Sequence, residues 1–360
     1  MARVRLAGIT KHYGTTVAVQ DFNLEVVEGE FVTLLGPSGC GKTTILRIIA
    51  GLVEPTSGQV YFDGVEITHL SSNARNIGFV FQTPALFPHL SIAQNIAFGP
   101  SVKGYPQAEI QARVQRLLAM VDLEGYGDRL PAQLSGGQQQ RVSLARVLAT
   151  DPRVLLFDEP LSALDRNLRE TLKYHILELQ RKTKKTAIYV THDQSEAFAI
   201  SDRIVVINAG RIEQIGTQTE IYLQPQSPFV AEFIGANNSL AGQVLEYSPE
   251  EARVAAEGFH LRCRSGLPLA PGEPVLVYIR PENIQLLTDG RSASHRNLWE
   301  GTVERVVFEG SAAQVHVNVK GRLFKVEVSG AQRLEVMELG KSPIWLGFDE
   351  VTLIPQKSPR

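Results

Sequence analysis

The sequence predicts an α/β domain folded round a largely parallel sheet, with a helical insertion, followed by an all-β domain of two small OB-like barrels. Three observations predict it. A glycine-rich stretch, Gly36-Pro37-Ser38-Gly39-Cys40-Gly41-Lys42-Thr43-Thr44, lies between the apolar run Phe31 to Leu35 and a second one, Ile45 to Ala50. Apolar β runs then alternate with helix-spaced segments as far as Ile207. Beyond the breaker-rich Gln224-Pro225-Gln226-Ser227-Pro228, helical spacing fades and two similar blocks of short β runs take over. The domains are expected at 1–235, with the insertion at about 84–150, and at 236–360.

The glycine-rich stretch is a phosphate cradle. Backbone N–H groups wrap a phosphate chain only where side chains do not block the approach, which is what glycines at 36, 39 and 41 allow. The helix beginning near Lys42 aims its positive end at the anion. Lys42 is placed to reach the outer phosphates and the Thr43 hydroxyl to ligate Mg²⁺, so the expected fold is a P-loop NTPase and the expected ligand a nucleoside triphosphate. Cys40 reads as a small spacer in this loop.

Composition narrows the classes. The 360 residues suffice for two domains. A net charge of -2 gives no electrostatic case for nucleic acid as the main partner. The two cysteines, Cys40 and Cys263, argue for a reducing compartment rather than a disulfide framework. No apolar run approaches the ~18 residues of a membrane span and the N-terminus carries no signal core, so a soluble, cytoplasmic chain is expected, reaching a membrane only through a partner.

In chain order, residues 2 to 35 read as short strands, with Tyr13 in a turn where its ring either stacks on a base or simply packs. Gln59 to Phe62 and Ile77 to Phe81 read as strands, the second ending on Gln82. Pro84 to Leu90 is expected at a surface, where Leu86 and Phe87 form either a docking patch or ordinary core. Ile110, Val114, Leu117, Leu118 and Val121 share one helix face. Leu134-Ser135-Gly136-Gly137-Gln138 opens another helix whose first turn exposes backbone donors, a second anion-binding end.

The run Val154 to Phe157 delivers Asp158 and Glu159 at the end of a buried strand. Carboxylates there need a reason, since unpaired ones are costly. Mg²⁺ supplies it: Asp158 holds the metal through its water shell while Glu159 activates the attacking water. A helix with Leu168, Leu172, Ile176 and Leu179 on one face follows the loop Leu161 to Asp165, and Thr186 to Val190 is a strand ending in Thr191-His192-Asp193. A histidine at that strand end can sense a γ-phosphate and position water.

In the second domain, Gly242 to Gly266 and Gly301 to Gly330 share one plan: Gly-x-Val, a broken middle strand, a turn, a third strand and Ser-Gly. Each copy is followed by an apolar strand and a further strand near an acid, Val275 to Ile279 with Glu282 to Leu286, then Ile344 to Leu346 with Glu350 to Ile354. Two antiparallel barrels made by duplication are expected, the alternative being one irregular sandwich. Neither carries a catalytic constellation. Asp289 to Asn297 is expected to be a mobile loop, and Gln356 to Arg360 to fray.

Taken together, Tyr13, the phosphate loop 36–44, Gln82, Leu134 to Gln138, Asp158-Glu159, the Ser162 to Asp165 loop and His192 resemble, in type and order, the nucleotide-binding subunit of an ABC transporter. The resemblance covers nearly the whole chain. It implies ATP held between two copies of a homodimer, with the phosphate loop of one facing Ser135, Gly136, Gly137 and Gln138 of the other. It further implies Thr43, Gln82 and Asp158 on Mg²⁺, Glu159 as general base, His192 and Lys42 at the γ-phosphate, Asp165 coupling the two sites, and transmembrane permease subunits as partners. Phe87-Pro88-His89, Thr191 to Ala197, Phe229 to Gly235 and Ile279 to Glu282 resemble the bacterial importer branch with a C-terminal TOBE-type regulatory domain, peripheral to the cytoplasmic face of the membrane and served by an extracytoplasmic solute-binding protein. Its members carry polyamines, ferric iron, sulfate, phosphonates or sugars; Gly78 to Gly99 and the tail point to a polyamine or ferric iron. Ser195 stands where relatives often carry Glu or another residue. The alternative from another class, a soluble ABC ATPase of repair, translation or assembly, is expected to have two fused nucleotide domains or long coiled-coil inserts, which this chain lacks.

Overall fold

The structure, a computed structural model, describes residues 2–162, 164–235, 237–264, 268–288, 294–340 and 342–356. Ala163 in the expected coupling loop, Ser265-Gly266 of the first repeat, Asp289 to Ala293 of the expected mobile loop and the expected fraying end from Lys357 lie outside the described residues. Two compact units are present, Met1–Gln218 and Thr219–Arg360.

In the first unit the elements run β1 (Val4–Tyr13), β2 (Thr16–Val26), β3 (Phe31–Leu35), α1 (Lys42–Ile49), β4 (Ser57–Phe62), β5 (Val65–Glu66), β6 (Ile77–Val80), α2 (Ile92–Val102), α3 (Gln107–Met120), α4 (Gly136–Ala149), β7 (Val154–Asp158), α5 (Arg166–Thr183), β8 (Thr186–Thr191), α6 (Gln194–Ile200), β9 (Arg203–Asn208) and β10 (Arg211–Gly216). A six-stranded sheet has the order β10-β9-β3-β8-β7-β6, and an antiparallel sheet has the order β2-β1-β4-β5. Strands β9, β3, β8, β7 and β6 are parallel, and β10 adds an antiparallel edge. Every residue of β3, β7 and β8 is buried, as unbroken apolar strands covered on both faces must be.

Strand alternation divides the core in two. Val32 and Leu34 of β3 and Val154 and Leu156 of β7 face α1 and the antiparallel sheet. Phe31, Leu155 and Phe157 face the helices α2 to α5. Those helices bury the expected apolar faces, Ile110, Val114, Leu117 and Leu118 among them. The segment before α2 is tied down by Asn95, a fully buried side chain that accepts from the Phe87 N–H and donates to the carbonyls of Phe87, Leu90 and Ser91. Leu86 and Phe87 are half-buried, and Leu86 packs on the helical core.

The second unit contains β11 (Asn238–Tyr247), β12 (Ala252–Ala256), β13 (Phe259–Cys263), β14 (Pro274–Ile279), β15 (Gln285–Leu287), β16 (Asn297–Phe308), β17 (Ala312–Val319), β18 (Arg322–Ser329), β19 (Pro343–Phe348) and β20 (Thr352–Pro355). Two five-stranded sheets have matching orders, β13-β12-β11-β14-β20 and β18-β17-β16-β19-β15. The expected duplication into two OB-like barrels is present, with one difference in its wiring. Each sheet closes on the last strand of the other copy: β20 pairs with β14, and β15 pairs with β19. One core, from Leu240 to Leu353, serves both sheets.

The repeat glycine has the same cause in both copies. A Cβ on Gly242 would lie 2.9 Å from the Ala255 carbonyl oxygen, and one on Gly301 2.7 Å from that of Asn318. The strand crosses too closely over its neighbour there for any side chain. Four residues before each glycine stands a buried asparagine. Asn297 accepts from the Arg262 N–H and donates to the carbonyls of Arg262 and Phe348; Asn238 accepts from the Lys325 N–H and donates to those of Lys325 and Ile279. Each asparagine thus pins its own copy to the third strand of the other.

Replacing Asn297 by alanine orphans buried backbone groups and is expected to cost about 2 kcal/mol. Asn238→Ala should match it. Both tryptophans, Trp299 and Trp345, lie in this unit, so a urea titration followed by tryptophan fluorescence reads the loss directly; an unchanged midpoint would refute the clamp.

Residues 219–235, placed by sequence with the first domain, pack within this second unit. The Arg280 guanidinium, stacked 3.7 Å from the Tyr222 ring centre, donates to the carbonyls of Ile234 and Tyr222, and the Tyr278 hydroxyl donates to Glu232.

Candidate nucleotide and hydrolysis site

The phosphate loop, the carboxylates Asp158 and Glu159, and His192 follow the carboxyl ends of β3, β7 and β8, the usual ligand edge of a parallel sheet. The loop from Gly36 to Gly41 leads into α1, whose cap, Gly41, has φ +103°, and a Cβ there would sit 2.4 Å from the Ala18 carbonyl oxygen. Only glycine fits that turn. Lys42 is 3% exposed, and its ammonium donates to the carbonyls of Gly36 at 2.8 Å and Pro37 at 2.9 Å, curling the loop around the cation. Pro37, Ser38, Gly39 and Cys40 form the outer arc. The Cys40 thiol is buried and pushed above its usual range, so this side chain acts as packing.

The Thr43 hydroxyl donates to Asp158 Oδ1 at 2.9 Å, joining the start of α1 to the end of β7. Burial pushes the Asp158 carboxyl above its usual range, opposed by the Thr43 hydrogen bond. An all-oxygen pair with a carboxylate short of solvation suits a hard cation that keeps most of its waters. Mg²⁺ fits these residues. Thr44 follows on the same turn.

Glu159 leaves β7 with φ +46°, its N–H bonded to the Val190 carbonyl. That left-handed turn lifts the carboxylate out of the sheet toward the end of β8, where its Oε2 lies 3.1 Å from His192 Nδ1. Gln82, at the end of β6, donates its amide to the Ser162 hydroxyl at 3.0 Å, and that hydroxyl donates to the Glu159 carbonyl at 3.0 Å. The structure therefore brings Lys42, Thr43, Gln82, Asp158, Glu159 and His192 into one neighbourhood. The link through Ser162 is not visible in sequence, because it joins positions far apart in the chain.

Tyr13 ends β1 with its ring half-exposed and the Lys11 ammonium 5.1 Å from its centre. The Ser135 group lies at the start of α4, away from the phosphate loop in sequence and in element. Ser135 caps the helix by accepting from the Gln138 N–H, and the Gln138 side chain accepts in return from the Ser135 N–H. Ser135 and Gly136 are exposed, whereas Gly137 is buried with its Cβ position 2.6 Å from Leu168 of α5. Its lack of a side chain serves helix packing.

The ABC transporter family model matches residues 19–162, and the TOBE domain model matches residues 277–353. Across 332 residues, 92% of each chain, the sequence is 45% identical to the Fe(3+) ions import ATP-binding protein FbpC of Escherichia coli (strain K12). The chain belongs to the ATP-binding subunits of ABC importers. Like them it binds ATP and is an ATPase coupled to transport. This importer subunit is also 46% identical to the sulfate/thiosulfate import ATP-binding protein CysA of Synechocystis, over 86% of this chain and 82% of that one. It is likewise 46% identical to the spermidine/putrescine import ATP-binding protein PotA of Lawsonia intracellularis, over 87% and 85%. Among solved structures it resembles the dimeric post-hydrolysis state of the ATP-binding cassette MJ0796 bound to ADP and Pi, with a TM-score of 0.54 and 36% identity, over 60% of this chain and 98% of that one. No helix among the described residues of this ABC subunit is long and apolar enough to cross a membrane.

Proposed function

We propose that this ATPase energises uptake of ferric iron or a polyamine, working as a head-to-tail homodimer with ATP between the phosphate loop of one copy and Ser135 to Gln138 of the other. The substrate reading is supported by the 45% identity to an Fe(3+) import protein over 92% of both chains, beside 46% to a spermidine/putrescine import protein; sulfate, carried by the name of a third relative at 46%, is the competing substrate. The dimeric, ADP- and phosphate-bound form of a 36% identical cassette supports the sandwich. Glu159 takes the proton of the attacking water, held in place by the Ser162 bond to its carbonyl and the His192 contact to its carboxylate. His192 and Lys42 hold the γ-phosphate; Tyr13 stacks on the adenine; Thr43, Gln82 and Asp158 hold Mg²⁺, which supplies charge neutralisation at the phosphates. Asp165, the cap of α5 through its bond to the Leu168 N–H, couples the two sites. Membrane permease subunits receive the stroke at the cytoplasmic face, and a solute-binding protein delivers the cargo.

The test pairs purification with uptake. Mild-detergent extracts should yield permease subunits with this chain. Cells lacking it should lose uptake of labelled ferric iron or of spermidine while keeping sulfate uptake; loss of sulfate uptake alone would overturn the substrate.

A further inference from the structure

Arg169, on the first turn of α5, takes part in no motif. Its guanidinium nevertheless joins two segments of the site. Nη2 donates to the Leu164 carbonyl at 3.0 Å, and Nη1 lies 3.4 Å from Asp193 Oδ2. Leu164 belongs to the loop that follows Glu159, held to it by Ser162 N–H on the Glu159 carbonyl and Leu164 N–H on the Leu161 carbonyl. Asp193 follows His192 directly and caps α6 by accepting from the N–H groups of Ser195 and Glu196. The contacts close a ring: Glu159, its loop, Arg169, Asp193, His192 and back to Glu159 at 3.1 Å.

A second layer braces this ring. Glu196 is buried, accepts from the hydroxyls of Tyr189 and Thr191, and lies 3.9 Å from Arg169 Nε. The same Thr191 hydroxyl accepts from the Asp193 N–H, so the backbone on both sides of His192 is held. Burial raises the Glu196 carboxyl above its usual range, against the hydrogen bonds from Thr191 and Tyr189 and, more weakly, the Arg169 charge. Arg169 Nε is buried with no hydrogen-bond partner among the described residues, so the guanidinium is committed through its two terminal nitrogens to the loop and to Asp193.

We infer that Arg169 is a positioning residue for hydrolysis, clamping the Leu164 carbonyl to the Asp193 carboxylate so that the Glu159 loop and the His192 turn move as one piece. A fork with two directed arms does this, and a single ammonium does not. The inference rests on the reading of Glu159 and His192 as the hydrolytic pair.

The test uses full-length protein and four variants: Arg169→Met, Arg169→Lys, Arg169→Met with Glu196→Gln, and Glu159→Gln. Readouts are kcat, KM for ATP and the thermal midpoint. Arg169→Met should lower kcat about 10- to 100-fold, the scale of a misplaced reacting group, with KM near wild type. Arg169→Lys should hold the thermal midpoint near wild type and recover little of kcat, because an ammonium neutralises Glu196 without bridging both arms. Adding Glu196→Gln should restore the thermal midpoint and leave kcat low, because it removes the stranded buried charge without rebuilding the clamp. If the double variant regains kcat, Arg169 only neutralises Glu196 and the inference is overturned; equally so if Arg169→Met changes KM or the midpoint alone. Should Arg169→Met fail to fold, the lysine and double variants carry the same contrast. Glu159→Gln separates the two levels: near wild-type turnover there would remove the hydrolytic reading itself, whereas its loss beside an unimpaired Arg169→Met defeats only the clamp.

Discussion

Glu159→Gln is expected to reduce ATP turnover by roughly 10²- to 10⁴-fold while ATP binding persists, the loss typical of removing a general base. The geometry explains why the change is narrow. Glutamine keeps the shape of the side chain and a polar contact to His192, which lies 3.1 Å away. The left-handed turn at residue 159 is set by the backbone bond to Val190 and by Ser162 on the carbonyl, neither of which involves the carboxylate. What is lost is the proton acceptor alone. Phosphate release from purified protein, beside binding of a fluorescent ATP analogue and the molecular mass in ATP, decides the matter. A variant that binds ATP, sits as a dimer and does not turn over is the expected result; hydrolysis near the wild-type rate would remove Glu159 from its role.

Ser135→Arg should bring hydrolysis to background, at least ~10²-fold down, because the face that offers backbone donors to the developing charge is held off by the added bulk. Ser135 and Gly136 are exposed at the start of α4, where the first N–H groups present a positive end to an anion. They do so on an element separate from the chain's own phosphate loop, which follows β3 in the middle of the sheet order, as suits a surface completed by a second copy. Arginine adds bulk to that face and removes the capping oxygen that accepts from Gln138, a change worth ~1 kcal/mol of helix stability. Ser135→Ala removes the cap without the bulk and serves as the control. ATP affinity of the monomer should hold in both; hydrolysis by the arginine variant at the wild-type rate would end the two-copy reading.

The site was legible to the degree that its chemistry is local. A phosphate loop, or two carboxylates at the end of an apolar strand, must keep its residues adjacent, so Gly36 to Thr44 and Asp158-Glu159 announce themselves. Contacts between distant residues do not. Gln82 meets Ser162, and Arg169 meets Asp193, only because parallel strands bring their ends together. Leu86 and Phe87, open in sequence between patch and core, are half-buried because Asn95 anchors their loop, a bond set no apolar pattern can reveal. In the second unit the alternation of β runs marked the copies and the glycine of each. It could not mark which sheet a strand would join, because β15 and β20 carry the same short apolar-and-acid pattern and either would satisfy either edge. The asparagines at 238 and 297 read as polar residues ahead of a strand until their partners are seen across the two copies.

The exchange of β15 and β20 bears on how the chain is made. A nascent first copy, with β11 to β14 already outside the ribosome, has an open edge along Val275 to Tyr278 until Thr352 to Pro355 arrive to cover it. At ~5–20 residues per second that wait lasts several seconds, during which an unpaired strand edge is exposed to neighbouring chains. Damage to the last strand is therefore felt by the earlier barrel, and a ribosome that stops short leaves a sticky edge where synthesis had long since passed.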